Sequence, residues 1–302
     1  MPAAPAAAAT PAMSPQQSRH TSAVAELGVV RCLATLMRPM LSEFSYGYAL
    51  TEQLTQTGTG TLIAAPLFPS LIEEGQPNVG FDVHIPYPVT PLFLQFKLSH
   101  RLERRSAGEY ALLGGGYYRM HLRPSRFSSQ HNALLNLESR GEQVFYAAPL
   151  FHRMEQLSAA YLARSVVERS AFFPPSAIGA LPDHYDHHVS FTATQAYFCS
   201  EPKRIDYDFK GITQLDRFQR LARHAETKAD KKFFLHLLDH MADALSETGR
   251  LPEQLHQLRD GAFRERVTRR EVTHLAAFTA RSSFDAEIIL LAHKPNDKST
   301  GT

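Results

Sequence analysis

Cysteine is scarce in this chain of 302 residues, which contains only Cys32 and Cys199. Two cysteines without a CxxC spacing cannot build a disulfide framework or a zinc site made of cysteines alone. A reducing cytoplasmic location is therefore the default expectation. The chain also lacks a window of about 18 uncharged apolar residues, so the sequence predicts no membrane-spanning helix and no membrane partner.

Two common catalytic motifs are also absent. The glycines Gly114–Gly116 are not followed by Lys-Ser or Lys-Thr, so they do not form a P-loop, and no GxSxG nucleophile motif occurs. Both absences argue against ATP use and against covalent hydrolase chemistry. The formal net charge of +2 neither requires nor excludes a polyanionic partner, since attraction depends on how charges cluster.

Composition divides the chain into three regions. Residues 1–21 are rich in Ala, Pro, Ser and Gln and lack the basic start and apolar run of a secretory signal, so we expect a disordered tail. We expect an α/β domain over residues 22–200. Residues 201–302 are mostly helical in pattern and form a predicted accessory region, although Glu287–Ala292 has the pattern of a strand that returns to the main sheet.

Hydrophobic periodicity predicts the elements of the α/β domain and of the accessory region. Up to residue 150 they are the helices Ser22–Met40 and Ser42–Gln56, the strands Thr61–Ala65, Val79–Ile85, Leu92–Leu98 and Tyr117–Leu122, the helix Ser128–Glu138, and the strand Gln143–Ala148. Beyond Pro149 they are the helix Arg153–Arg169, the strand His188–Ala193, two helices from Gln214 onwards and the helix Glu253–Phe263. With the less regular Tyr117–Leu122 strand set aside, the order is helix, three strands, helix, strand.

Asp82, Gln95 and Lys97 form the clearest candidate site. In the alternating pattern of the third strand, Gln95 and Lys97 point to the same side. If the second and third strands pair as an antiparallel hairpin, Asp82 comes to lie beside them. A carboxylate and a carboxamide oxygen are suitable Mg²⁺ ligands, and a neighbouring ammonium group can stabilise charge that develops on a phosphate.

This pattern of Asp82 followed by Gln95-x-Lys97 resembles the PD-(D/E)xK nuclease superfamily, and its Gln variant resembles the Mrr-type restriction and phage-defence branches. The resemblance implies a restriction-endonuclease-like αβββαβ core, a mixed sheet flanked by helices. It also implies phosphodiester hydrolysis with Mg²⁺, or alternatively Mn²⁺, in which Asp82 and Gln95 hold the metal and Lys97 is the catalytic lysine. An acidic residue of the first helix often joins such sites; here it is Glu43 or Glu52, and we prefer Glu43.

A basic segment follows the candidate site. Arg119, Arg123, Gln130 and His131 are candidate substrate-binding residues, because phosphate contacts use side chains of these types. An equally good interpretation is a solvated basic strand followed by the start of a helix. The run from Asp183 to His188 also has metal-binding residue types, but successive residues of a strand face opposite sides, so a polar turn is the simpler interpretation.

The sequence therefore predicts a cytoplasmic endonuclease that cleaves DNA, most simply duplex DNA, in restriction or phage defence. A homodimer is an expected partner arrangement, because two related sites cut both strands of a duplex. Gln95, in a position where a carboxylate is common, leaves an alternative open: a nuclease-fold module that binds nucleic acid or protein without cleavage. A third interpretation is a nuclease subunit of a multi-protein defence system that a partner protein activates.

Overall fold

The structure of this chain is a computed structural model that describes residues 39–56, 62–67, 85–181, 186–199 and 202–294. All of these residues belong to one compact unit. Asp82, most of the predicted strand Val79–Ile85 and nearly all of the predicted helix Ser22–Met40 lie outside the described residues.

The first half of the described chain has a helix, four successive strands, a second helix and a further strand. In chain order they are α1 (Glu43–Gln56), β1 (Leu62–Leu67), β2 (Val89–Phe96), β3 (His100–Leu102), β4 (Tyr117–Leu122), α2 (Gln130–Ser139) and β5 (Gln143–Pro149). The bounds of β4 agree with the sequence prediction at both ends. Those of α1, α2 and β5 agree within two residues.

The second half is richer in helix. Its elements are α3 (Met154–Leu162), β6 (Ser170–Phe173), α4 (Pro175–Ile178), β7 (His187–Phe191), β8 (Ala196–Phe198), β9 (Lys203–Arg204), α5 (Gly211–Arg223), α6 (Lys231–Ser246), α7 (Glu253–Gln257), α8 (Gly261–Arg266), α9 (Arg269–Phe284) and β10 (Glu287–His293). The predicted helix Arg153–Arg169 is shorter than expected, because Arg164 adopts a positive φ of 55° shortly after Leu162. The predicted helix Glu253–Phe263 is divided into α7 and α8.

Five strands form a mixed sheet in the order β1-β10-β2-β5-β6. The strands β2 and β5 are parallel, and every other neighbouring pair is antiparallel. A parallel pair requires a crossover connection, and α2 lies in the connection between β2 and β5. Helices pack on the faces of this sheet, so the α/β class predicted from the sequence is confirmed.

The neighbours of β2 differ from those predicted. Sequence analysis places Val79–Ile85 beside this strand as a hairpin partner. Instead, Leu92–Leu94 pairs with β10 on one edge and with β5 on the other. Six of the seven residues of β10 are buried, and such a continuous apolar run suits a strand that is covered on both faces. The C-terminal strand therefore occupies an inner position of the sheet, and the region after residue 201 shares its core.

Two apolar layers enclose this mixed sheet. Leu92 and Leu94 of β2 face the layer that includes α1, α3 and α5, whereas Phe93 faces the layer formed with α2, α6 and α9. This is the alternation expected for a strand. Each fully buried Leu or Phe side chain contributes about 1.5–3 kcal/mol to stability, so the two layers fix the face on which the polar residues of β2 lie.

Gly47 allows α1 to approach the end of β2 closely. A Cβ atom on Gly47 would lie 2.8 Å from two ring atoms of Phe96. The neighbouring Tyr46 is fully buried and meets the Phe96 ring edge-on, with 6.0 Å between ring centroids. Since Glu43 lies one helical turn before Gly47, this contact brings the first turn of α1 towards the end of β2.

A second sheet, in the order β3-β4-β7-β8-β9, is antiparallel throughout. It contributes Met120, Leu122, Val189 and Phe191 to the layer that covers the Phe93 side of the first sheet. In the part of the chain that the structure describes, none of the helices combines the length and the apolar content needed to cross a bilayer.

Candidate functional site

Gln95 lies near the end of β2 and is only 1% exposed. Its side-chain Nε2 donates a hydrogen bond of 3.1 Å to Oδ2 of Asp285. The other amide atom, Oε1, is buried and has no hydrogen-bond partner. A buried polar atom in this state costs about 1–3 kcal/mol, so the site contains an oxygen acceptor that a cation or a donor would stabilise.

Asp285 reaches Gln95 because of the turn between α9 and β10. It has φ 50° and ψ 39°, a left-handed conformation that ends α9 and that aspartate tolerates better than most residues. Two residues later, Glu287 pairs with Leu94 in the antiparallel ladder. The register of β10 therefore sets the carboxylate of Asp285 beside the carboxamide of Gln95.

Lys97 immediately follows β2, and its backbone N–H bonds the carbonyl of Ala147 at 2.9 Å. Its Nζ lies 5.9 Å from the ring centroid of Tyr146. Burial lowers the pKa of the Lys97 ammonium group, while the negative charges of Asp285 and Glu43 oppose this shift. The lysine is therefore partly desolvated and lies within the electrostatic range of two carboxylates.

Glu43 is the first residue of α1. Burial raises the pKa of its carboxyl group, and the positive charge of Lys97 is the largest opposing effect. The other candidate of the first helix, Glu52, lies nine residues further along α1 and pairs with Arg164 at 3.1 Å. Of the two acidic residues considered from the sequence, Glu43 is thus the one that lies with Lys97 and Asp285.

Arg281 and Glu287 flank this group. Arg281 donates to Oε1 of Glu287 at 2.9 Å, and its Nη1 is 4.0 Å from Oδ1 of Asp285. Burial raises the pKa of Glu287, and Arg281 opposes the shift. The guanidinium group thereby partly compensates the negative charge of the two carboxylates around the turn.

A polar cavity of about 450 Å³ opens beside Asp285. Its polar lining comes from three arginines, four serines, the first residue of α2 and one carboxylate: Arg123, Arg250, Arg281, Ser128, Ser129, Ser282, Ser283, Gln130 and Asp285. No acidic residue occurs in the first turn of α2, and the N-cap residue Ser129 makes no side-chain cap bond, while the backbone N–H of Gln130 donates to Oγ of Ser128 at 3.3 Å. The cavity therefore combines three positive charges with one carboxylate and with hydroxyl and amide groups, and this excess of positive charge suits an anion.

Two of the four predicted substrate-binding residues line this cavity. Arg123 is exposed there, and its charge contributes to the pKa shifts of both Glu43 and Lys97. Gln130 also lines the cavity, while its Nε2 donates to the carbonyl oxygen of Phe284 at 3.0 Å.

The other two predicted residues are engaged elsewhere. Arg119 lies on β4 and pairs with Glu109 at 2.5 Å. His131 is buried: its Nδ1 is 2.8 Å from the hydroxyl of Tyr146 and its Nε2 is 2.7 Å from the carbonyl oxygen of Gly179. Both imidazole nitrogens are therefore occupied within the fold, and His131 joins α2 to β5 and to the loop at Gly179.

The site just described unites residues from both ends of the described chain. Comparison with known proteins does not add information about its function. No family model matches the chain, and neither a curated protein nor a solved structure shows significant similarity to it. The chemistry of the site therefore rests on its own geometry and charges.

Asp285, Arg281 and Arg250 are members of the site that sequence reasoning missed. One signal was present: the apolar run Glu287–Ala292 has the pattern of a strand, and Asp285 directly precedes it. The sequence does not say which strand that run pairs with, so it does not connect Asp285 with Gln95.

Proposed function

We propose that this protein is a metal-dependent nuclease that hydrolyses phosphodiester bonds of DNA. The observation that carries the proposal is the buried carboxamide of Gln95, which is bonded to Asp285 at one atom and has an unpartnered oxygen at the other. A glutamine of this kind beside a desolvated lysine agrees with the Gln-x-Lys pattern of the nuclease superfamily that the sequence resembles. The run from α1 through β2 and α2 to β5 supports a restriction-endonuclease-like core.

The oxygen donors of the site suit a hard divalent cation. We propose Gln95 Oε1 and a carboxylate oxygen of Asp285 as ligands, with Glu43 nearby, and such ligands match the preference of Mg²⁺ for oxygen. Asp82, the ligand proposed from the sequence, lies outside the described residues. When bound, Mg²⁺ would supply charge stabilisation for the phosphate and would lower the pKa of an attacking water.

Lys97 has the role of a charge stabiliser in this proposal. Its ammonium group is within electrostatic range of the carboxylates of Asp285 and Glu43, and burial strengthens its field because little water screens it. A fixed positive charge of this kind stabilises the negative charge that develops on a phosphate in the transition state. If Lys97 only bound the DNA backbone, its burial would contribute less to its role.

The cavity beside Asp285 is the proposed site for a DNA phosphate that flanks the cleaved bond. Arg123, Arg250 and Arg281 supply positive charge, and Ser128 and Ser129 supply hydroxyl groups at the start of α2. Contacts of this kind position nucleic acid without reading its sequence. The proposal therefore predicts cleavage of DNA and makes no claim about a recognition sequence.

A plasmid cleavage assay tests the proposed function. Supercoiled plasmid and linear duplex are incubated with the native protein, Lys97→Ala or Asp285→Asn, in Mg²⁺, Mn²⁺ or EDTA. We expect metal-dependent cleavage that each substitution reduces by about 10²–10³-fold. Matched controls are Lys203→Ala and Asp206→Asn, two exposed positions at and after β9, which are expected to cut like the native protein. Cleavage that persists in EDTA or in Lys97→Ala would contradict the proposal.

One observation favours a second function, that of a DNA-binding module without cleavage. Among the described residues, the carboxylates around Gln95 do not form a group of three metal-binding side chains; the one such group lies in the second sheet. A module of this kind would shift duplex DNA in a mobility assay while leaving it intact in every metal. Cleavage by the native protein that requires Lys97 would exclude it.

A further inference from the structure

Glu109, His188 and Cys199 come together on the second sheet, apart from the proposed nuclease site. One ligand atom from each, a carboxylate oxygen, an imidazole nitrogen and a sulfur, lies within 4.8 Å of the other two. His188 belongs to β7, and Cys199 follows β8, where its backbone N–H bonds the carbonyl of His188 at 3.1 Å. Glu109 lies in the loop between β3 and β4. Three separate segments thus converge on one point.

Glu109 is held in a fixed orientation. The hydroxyl of Tyr117 and the guanidinium group of Arg119 both donate to its Oε2, whereas Oε1 accepts from Nε2 of His188 at 2.7 Å. Partners that bind one oxygen of a ligating carboxylate and leave the other directed at the metal are typical of metal sites. In Glu109, Oε2 therefore accepts the bonds from Tyr117 and Arg119, whereas Oε1 is directed towards His188.

Burial and hydrogen bonding act on all three groups. Burial by itself raises the pKa of Glu109, but the bonds from Tyr117, His188 and Arg119 outweigh it and lower the pKa to about 2. Burial lowers the pKa of His188, and the hydrogen bond to Glu109 opposes this shift. Burial raises the pKa of the Cys199 thiol, so the thiol proton is the one that a metal has to displace.

We propose that Glu109, His188 and Cys199 form a Zn²⁺ site that fastens the Glu109 loop to β7 and β8. A sulfur, a nitrogen and an oxygen donor suit Zn²⁺, whereas Mg²⁺ prefers oxygen alone. Three protein ligands leave a fourth tetrahedral position for water. On binding, the Cys199 thiol releases one proton to solvent, and the Nε2 proton of His188 is replaced by one on Nδ1, so the imidazole stays neutral.

Cobalt substitution provides the test, because a cysteine ligand gives Co²⁺ a thiolate charge-transfer band in the near ultraviolet. The full-length protein is titrated with Co²⁺ in excess Mg²⁺. We expect a charge-transfer band that saturates at one equivalent and that Zn²⁺ abolishes. Cys199→Ser should remove the band, whereas Cys32→Ser, a change in the chain's other cysteine, should leave it unchanged.

Glu109→Gln and His188→Asn keep most of the side-chain shape and test the other two ligands. Each should weaken Zn²⁺ binding by at least about 10–100-fold, with circular dichroism used to verify the fold. Absence of the band in the native protein would overturn the proposal. So would a band that survives Cys199→Ser, or an unchanged affinity in Glu109→Gln and His188→Asn. None of these readouts depends on DNA cleavage.

Discussion

The side chains of Gln95 and Asp285 share a hydrogen bond of 3.1 Å although 190 positions separate them along the chain. This bond joins the end of β2 to the turn before β10. It also engages Nε2 of Gln95, so that Oε1 is the amide atom left without a hydrogen-bond partner. The electrostatics of the candidate site therefore depend on the correct placement of the last strand.

Gln95→Glu should make the stability of the protein depend on a divalent cation. A carboxylate at this buried position would lie beside Asp285 without a donor, and an uncompensated charge of this kind costs roughly 3 kcal/mol. We expect a lower melting temperature in EDTA that Mg²⁺ restores in part. Thermal unfolding in both conditions measures this, with exposed Gln195→Glu as the control. Equal destabilisation with and without Mg²⁺ would count against a cation beside Gln95.

Lys97→Met should stabilise the fold at neutral pH while abolishing the proposed activity. Burial lowers the pKa of Lys97 in the folded protein, so between that pKa and the usual 10.5 the unfolded chain binds more protons. The stability of the native protein therefore rises with pH across this window. The stability of Lys97→Met lacks this pH dependence. The free energy of unfolding that the variant gains over the native protein should therefore shrink as the pH approaches 10.5.

Urea unfolding of native protein and Lys97→Met at a series of pH values measures this difference. Lys203→Met changes an exposed lysine of β9, so it should show no such trend. A Lys97→Met protein that is less stable than the native protein at neutral pH would show that the attraction of Lys97 to Asp285 and Glu43 outweighs the cost of its burial.

Gly47→Ala should destabilise the protein although alanine is the better helix former. The added Cβ would lie 2.8 Å from two ring atoms of Phe96, so either α1 or the ring must move. Overpacking costs about 1–3 kcal/mol and helix propensity returns up to about 1 kcal/mol, so we expect a net loss of roughly 1–2 kcal/mol. Gly261→Ala, which meets no atom within 4 Å, is the matched control for urea unfolding. A variant as stable as the native protein would contradict the close packing of α1 on β2.

Arg123→Ala combined with Arg250→Ala should reduce the salt dependence of DNA binding. Each phosphate contact contributes about 0.9 to the slope of log K against log salt, so the double variant should lower the slope by about 2. Fluorescence titration of a duplex at several salt concentrations measures it. The control is Arg204→Ala, an arginine whose side chain is 65% exposed and paired with Asp206 on the second sheet. An unchanged slope in the double variant would show that the cavity is not part of the DNA interface.

Much of the fold follows from local pattern. The alternation of β2, the helical period of α1 and the strand β4 are predicted because side-chain periodicity reflects which face is buried. The predicted hairpin of Val79–Ile85 with Leu92–Leu98 shows the limit of this reasoning. Nearness in sequence favours such a pairing, but Leu92–Leu94 is paired on both edges by β10 and β5, strands that come later in the chain.

The candidate site, like the fold, follows from the sequence only in part. Gln95 and Lys97 share a face because of their spacing, and Glu43 is the acidic residue of α1 that lies with them. Arg123 and Gln130 line the cavity, but Arg119 and His131 are held by other partners. Spacing alone does not distinguish the two pairs, because it does not reveal which polar atoms find partners inside the fold.

The sequence by itself determined the α/β class, the bounds of α1, α2, β4 and β5 to within two residues, and the shared face of Gln95 and Lys97, since these depend on contacts between residues close together in the chain. Only the tertiary structure decided that β10 lies beside β2, that Asp285 bonds Gln95, and that Glu109, His188 and Cys199 meet. These are contacts between distant segments, and they are set by which apolar faces bury one another, a choice that local periodicity leaves open.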